Sequence, residues 1–136
     1  MEYFVISLSS LGISGINIQE RGLIMALEYQ EANNQGILKL AGDLTLGQAE
    51  ELRMILIKAI INVDQLTLEF GDVHEVDLSC LQLLCSVHRS AVRMNKRVVF
   101  SGQHPEAFDR IVSEAGYTRT SGCHLDCFGS CLWVKR

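Results

Sequence analysis

The amino-acid sequence predicts an α/β layer fold with a mostly parallel sheet. Three observations predict it. Stretches of period-two apolar alternation exchange with stretches of helical apolar spacing, in the order β-β-α-β-α-β-α-β. The 136 residues, 48% apolar and 21% charged, suffice to bury a core without a metal or disulfide staple. One proline and eleven glycines exclude collagen-like or linker-rich architecture. No internal repeat or low-complexity tract breaks the pattern.

Residues 25–30 and 36–41 read as short strands. Asn33-Asn34-Gln35-Gly36 between them tolerates positive φ and makes the pair a hairpin. Thr45-Leu46-Gly47-Gln48 fits a capping box with Thr45 as N-cap. The helix it opens runs to about Asn62, with Leu46, Ala49, Leu52, Leu56, Ala59 and Ile60 on one apolar face. Met54, Ile57 and Ile61 form a second stripe, so this helix meets a neighbouring segment or a partner as well as the sheet. Residues 66–70 alternate as a strand, and residues 71–76 read as a loop. A second helix covers residues 79–94, with Leu81, Leu84, Ala91 and Val92 on one side, and residues 97–100 form a compact buried strand. Pro105 sits at the first position of a third helix, which Phe108, Ile111, Val112 and Ala115 face inward and Gly116 ends. Leu132-Trp133-Val134 reads as a last edge strand.

Residues 1–24 show neither period. Glu20-Arg21-Gly22 can be encoded by purine-rich codons just upstream of the Met25 codon, where a bacterial ribosome-binding sequence would lie. The natural start is therefore expected at Met25, with 1–24 an N-terminal extension of translated leader and 25–136 a single domain. The alternative is a genuine extra strand on the sheet.

Much chemistry is excluded. A net charge of −4 without a basic stripe argues against nucleic acid as a partner. No run reaches the ~18–20 apolar residues of a membrane span, and the first residues lack the positive region of a secretory signal. The five cysteines are odd in number; Cys80 and Cys85 lie in an apolar run and read as buried thiols, which suggests the cytoplasm. No phosphate-cradling loop or HExxH occurs, so neither a catalytic residue nor a cofactor is expected. Asp72, Glu75 and Asp77 would suit acid–base work or Mg²⁺, but complementing the positive end of the following helix is the preferred reading. His88 reads as a core histidine rather than a base for Cys85. Cys123, His124, Cys127 and Cys131 offer four zinc ligands, but their spacing is poor for joint chelation and no metal is expected.

The informative segment is Val73-His74-Glu75-Val76-Asp77-Leu78-Ser79-Cys80-Leu81-Gln82-Leu83-Leu84, an acidic residue after a strand followed by a small hydroxyl residue opening an apolar helix. Such a corner leaves N–H groups pointing outward and suits docking or phosphorylation. Ser79 is read as the N-cap of the helix. With Gly42-Asp43-Leu44, Leu68-Glu69-Phe70 and Arg97-Val98-Val99-Phe100-Ser101-Gly102 before Pro105, the stretch 25–117 resembles the STAS family of anti-sigma-factor antagonists and sulfate-transporter tails. The resemblance implies a mixed, mostly parallel sheet with helices mainly on one face. It also implies a non-enzymatic interaction module without cofactor, whose partner is a serine kinase/anti-sigma factor or a chemotaxis-type signalling protein. Small STAS subunits of lipid or anion transport assemblies are the alternative. The family pattern carries a phosphoacceptor hydroxyl directly after the aspartate. Here Leu78 stands there, and Cys80 replaces a glycine. Partner binding is expected at Asp77, Leu78, Ser79 and Cys80, with Ser79 the one hydroxyl left for phosphorylation.

Overall fold

Asn33 and Asn34 both hold positive φ, 52° and 61°. That two-residue turn has the twist of the strands it joins. It closes β2 (Met25–Ala32) onto β3 (Gln35–Leu44) as an antiparallel hairpin, with Leu27 opposite Leu40 and Tyr29 opposite Leu38. Gly36 lies under the Tyr29 ring, where a Cβ would come within 2.8 Å of the phenol oxygen. The structure is a computed structural model that describes residues 4–6, 25–126, 129 and 131–134. β1 (Phe4–Ile6) pairs antiparallel with β2, Val5 opposite Gln30. Residues 4–6 of the extension thus form an edge strand, and 7–24 lie outside the described residues.

The chain then crosses over through α1 (Ala49–Asn62) to β4 (Gln65–Val76), through α2 (Leu78–Arg93) to β5 (Arg97–Ser101), and ends its regular elements with α3 (Glu106–Glu114). The sheet order is β1-β2-β3-β4-β5, with β3, β4 and β5 mutually parallel. Alternate residues of the central strands, Leu38, Leu40 and Leu44 on β3 and Leu66 and Leu68 on β4, are buried; Ile37, Lys39, Thr67 and Glu69 between them are not. The inward residues form one core with Leu52, Ile55, Leu56, Ala59 and Ile60 of α1 and Leu81, Leu84 and Ala91 of α2. Burying each large aliphatic side chain stabilises by about 1.5–3 kcal/mol, well above any local helix propensity.

Several local expectations are corrected. Residues 71–76 continue β4 rather than forming a loop. β4 bulges here, carrying extra residues opposite Gly42, which holds φ 79°, so that Val73, Glu75 and Val76 find partners in Gly42, Asp43 and Leu44. Main-chain pairing carries this stretch while Asp72, His74 and Glu75 stay exposed. Thr45 caps no backbone group with its side chain; its hydroxyl meets Gln48 Oε1 at 2.5 Å, and residues 46–48 make a 3₁₀ turn before α1. Leu46 is therefore not on the apolar face but 73% exposed, and Ile55 takes a core place instead. Ile57 and Ile61 of the second stripe are exposed. Pro105 is the N-cap of α3 rather than its first residue.

The expected last strand is a turn with one bridge, Arg119 to Val134, and an Arg119 N–H to Trp133 carbonyl bond of 2.8 Å. Ring packing holds it: Trp133 lies edge-on to Tyr117 at 5.0 Å and faces Phe108 at 6.3 Å. No helix among the described residues is long and apolar enough to cross a membrane.

Candidate functional site

β4 ends at Val76, and Asp77 leaves the sheet in extended conformation before α2 begins at Leu78. The Asp77 N–H donates to the Leu44 carbonyl at 3.3 Å, tying the corner to the end of β3. Its carboxylate gathers two loops. One oxygen accepts from the Ser79 N–H at 3.0 Å and from the Ser79 hydroxyl; the other accepts from the Leu46 N–H at 2.8 Å. Asp77, not Ser79, is thus the N-cap. The helix starts one residue before Ser79, and a carboxylate there reaches the second N–H of the first turn. Burial pushes the Asp77 carboxyl upward, but hydrogen bonds from the Ser79 hydroxyl and from the Leu46, Ser79 and Cys80 N–H groups outweigh it, leaving it below its usual value.

The four predicted binding residues occupy different depths. Leu78 is 44% exposed and Ser79 half-buried, whereas Cys80 is buried beneath them in the core. Burial, with the Asp77 charge adding to it, pushes the Cys80 thiol up to about 12. Cys80 therefore supports the corner from below and offers no surface to a partner. Leu46, which sequence spacing assigned to the core, joins Leu78 as a second exposed leucine linked to the same carboxylate.

The other candidates separate. Asp72 and Glu75 are exposed, and Asp72 faces His74 at 3.8 Å. His88 is buried on α2, and its Nε2 faces Cys123 Sγ at 3.6 Å rather than Cys85. Cys131 joins these two, while His124 is exposed and Cys127 lies outside the described residues. A cavity of about 750 Å³ between β5, α3 and residues 131–134, lined by Phe100, His104, Phe108 and Trp133, does not border the corner.

The family model described as "Mlab, STAS domain" matches residues 27–122, and the chain belongs to the STAS domain family. Among solved structures it is similar to the anti-sigma factor antagonist SpoIIAA in its unphosphorylated form. The TM-score is 0.56 at 18% identity, over 67% of this chain and 81% of that one. At that identity the likeness is one of fold. No curated protein matches.

Proposed function

We propose that this STAS domain is a non-enzymatic binding module of a bacterial regulatory pathway, working in the cytoplasm and docking a protein partner through the corner at Asp77, Leu78 and Ser79. The observation that carries the reading is the exposure of two leucines, Leu46 and Leu78, on either side of a carboxylate that already caps the helix. The fold gains nothing from holding them in water, whereas a partner gains apolar contact area. By family resemblance the partner is a serine kinase/anti-sigma factor or a chemotaxis-type kinase.

The contact is constitutive. Leucine at position 78 accepts no phosphate. The Ser79 hydroxyl is bonded to Asp77, so a phosphate there would break that bond and face a like charge. The same permanence favours a second reading, a STAS subunit of a lipid or anion transport assembly, in which the contact never needs to be switched off. A photo-crosslinking residue at position 78, activated in cells, tests both. An adduct with a signalling kinase supports the first reading, and one with a transport ATPase the second. A residue placed at Lys39, on the open face of β3, serves as the control. Equal adducts from both positions would remove the corner as the docking site.

A further inference from the structure

We propose that His88, Cys123 and Cys131 form a zinc site that fastens the C-terminal segment to α2. His88 lies 35 residues before Cys123, and the fold brings the ligand atoms of His88, Cys123 and Cys131 within 4.8 Å of one another. His88 projects from α2 into the core. Cys123 opens a tight turn in which the Asp126 N–H donates to the Cys123 carbonyl at 2.9 Å. Cys131 lies two residues before Trp133, whose ring is held among Tyr117, Phe108 and Phe100. The imidazole thus comes from α2 and the two thiols from the C-terminal segment.

The geometry suits the metal. Zinc binds sulfur at about 2.3 Å and imidazole nitrogen at about 2.0–2.1 Å, so two such ligands on one tetrahedral ion stand about 3.6 Å apart. His88 Nε2 and Cys123 Sγ are 3.6 Å apart. Two thiolates and one imidazole form a donor set that selects zinc over hard cations. His88 and Cys131 are only 1% and 2% exposed, which shields the site. The imidazole is also poorly satisfied: its Nδ1 has no hydrogen-bond partner among the described residues, and its Nε2 faces only a sulfur. No fourth ligand joins the three among the described residues, so the proposed ion keeps its fourth position for water.

The site differs from the one the local sequence suggests. His124, adjacent to Cys123, is exposed and takes no part. Full-length protein, purified reduced and without chelator, should contain about one zinc per chain. Co²⁺ added to the metal-free protein should give the thiolate charge-transfer and visible bands of a tetrahedral cobalt site. Losing a group behind a metal ligand costs about 10–100-fold in affinity, so Cys123→Ser, which loses a ligand, should weaken zinc binding by about 100-fold or more. His124→Ala should bind as the native chain does. Cys123 is only half-buried, so its serine variant tests the site without opening the core; a native circular dichroism spectrum confirms that it folds. Three results would overturn the proposal: no zinc bound at micromolar concentration, cobalt bands unchanged in Cys123→Ser, or a Cys123–Cys131 disulfide in the reduced preparation.

Discussion

Removing the Asp77 carboxylate isolates what holds the corner together. In Asp77→Ala the helix loses its N-cap acceptor for the Ser79 N–H, a loss of about 0.5–2 kcal/mol. It also loses a negative charge at the positive end of α2, about 0.3–1 kcal/mol. The Leu46 N–H is exposed and turns to water at little cost. The sum is roughly 2 kcal/mol. Unfolding entropy near 2.1 cal/mol/K per residue gives about 0.3 kcal/mol/K for a chain of this length, so Tm should fall by about 7 °C. Ser79→Ala loses one local hydroxyl bond, about 0.5–1 kcal/mol, and should fall by about 2–3 °C. Asp77→Asn keeps an acceptor and should lie between them. The folded carboxyl lies below its usual value, so its contribution is complete above about pH 4 and fades as pH falls through the lowered value. The gap in Tm between native protein and Asp77→Ala should therefore hold from pH 5 to 8 (roughly the neutral range) and narrow below about pH 4. Thermal melts of the three variants across pH supply the test. A Ser79→Ala loss equal to or larger than that of Asp77→Ala would return the cap to Ser79 and refute the geometry.

Further outcomes follow from individual contacts. Cys80, buried and with its thiol pushed up to about 12, should resist a thiol reagent in the native protein and react only at the rate of unfolding; fast native labelling would place it at the surface. The Lys96 ammonium donates to the Ile60 and Ile61 carbonyls at 2.8 and 2.9 Å, so Lys96→Met should cost about 1–2 kcal/mol in urea unfolding, and no loss would mean that water caps α1 as well. A chain beginning at Met25 should keep one cooperative melt within a few degrees, because β1 adds only three residues of edge pairing; loss of the transition would make that strand integral.

The hairpin, the three helices and the central strands were legible because burial imposes a period on the side chains. Asn33 and Asn34 announced their turn by chemistry alone. Residues 71–76 were not legible as strand, because the bulges that let them pair with β3 add residues to β4 and break its two-residue alternation. Leu46 and Ile55 exchanged places for a similar reason: a 3₁₀ turn shifts the phase of the helix, and only the packed backbone reveals the shift. The corner was legible as a location, but not the depth of its residues, since Leu78 and Cys80 are both apolar and only helix phase separates surface from core. Cys123 and Cys131 were legible as candidate ligands, but their association with His88 was not, because that residue stands 35 positions before Cys123, across β5 and α3.

The proposed docking places a protein partner on Leu78. The direct measurement is a calorimetric titration of the crosslinked partner, once isolated, against native protein, Leu78→Asp and Lys39→Glu. Leu78→Asp should fold normally, because an acidic residue is tolerated in the first turn of a helix. It should nevertheless lose binding by several kcal/mol, a factor of roughly 100 or more in Kd, by placing an unpaired charge in the interface. Lys39→Glu should bind as native. Unchanged affinity for Leu78→Asp would contradict the account.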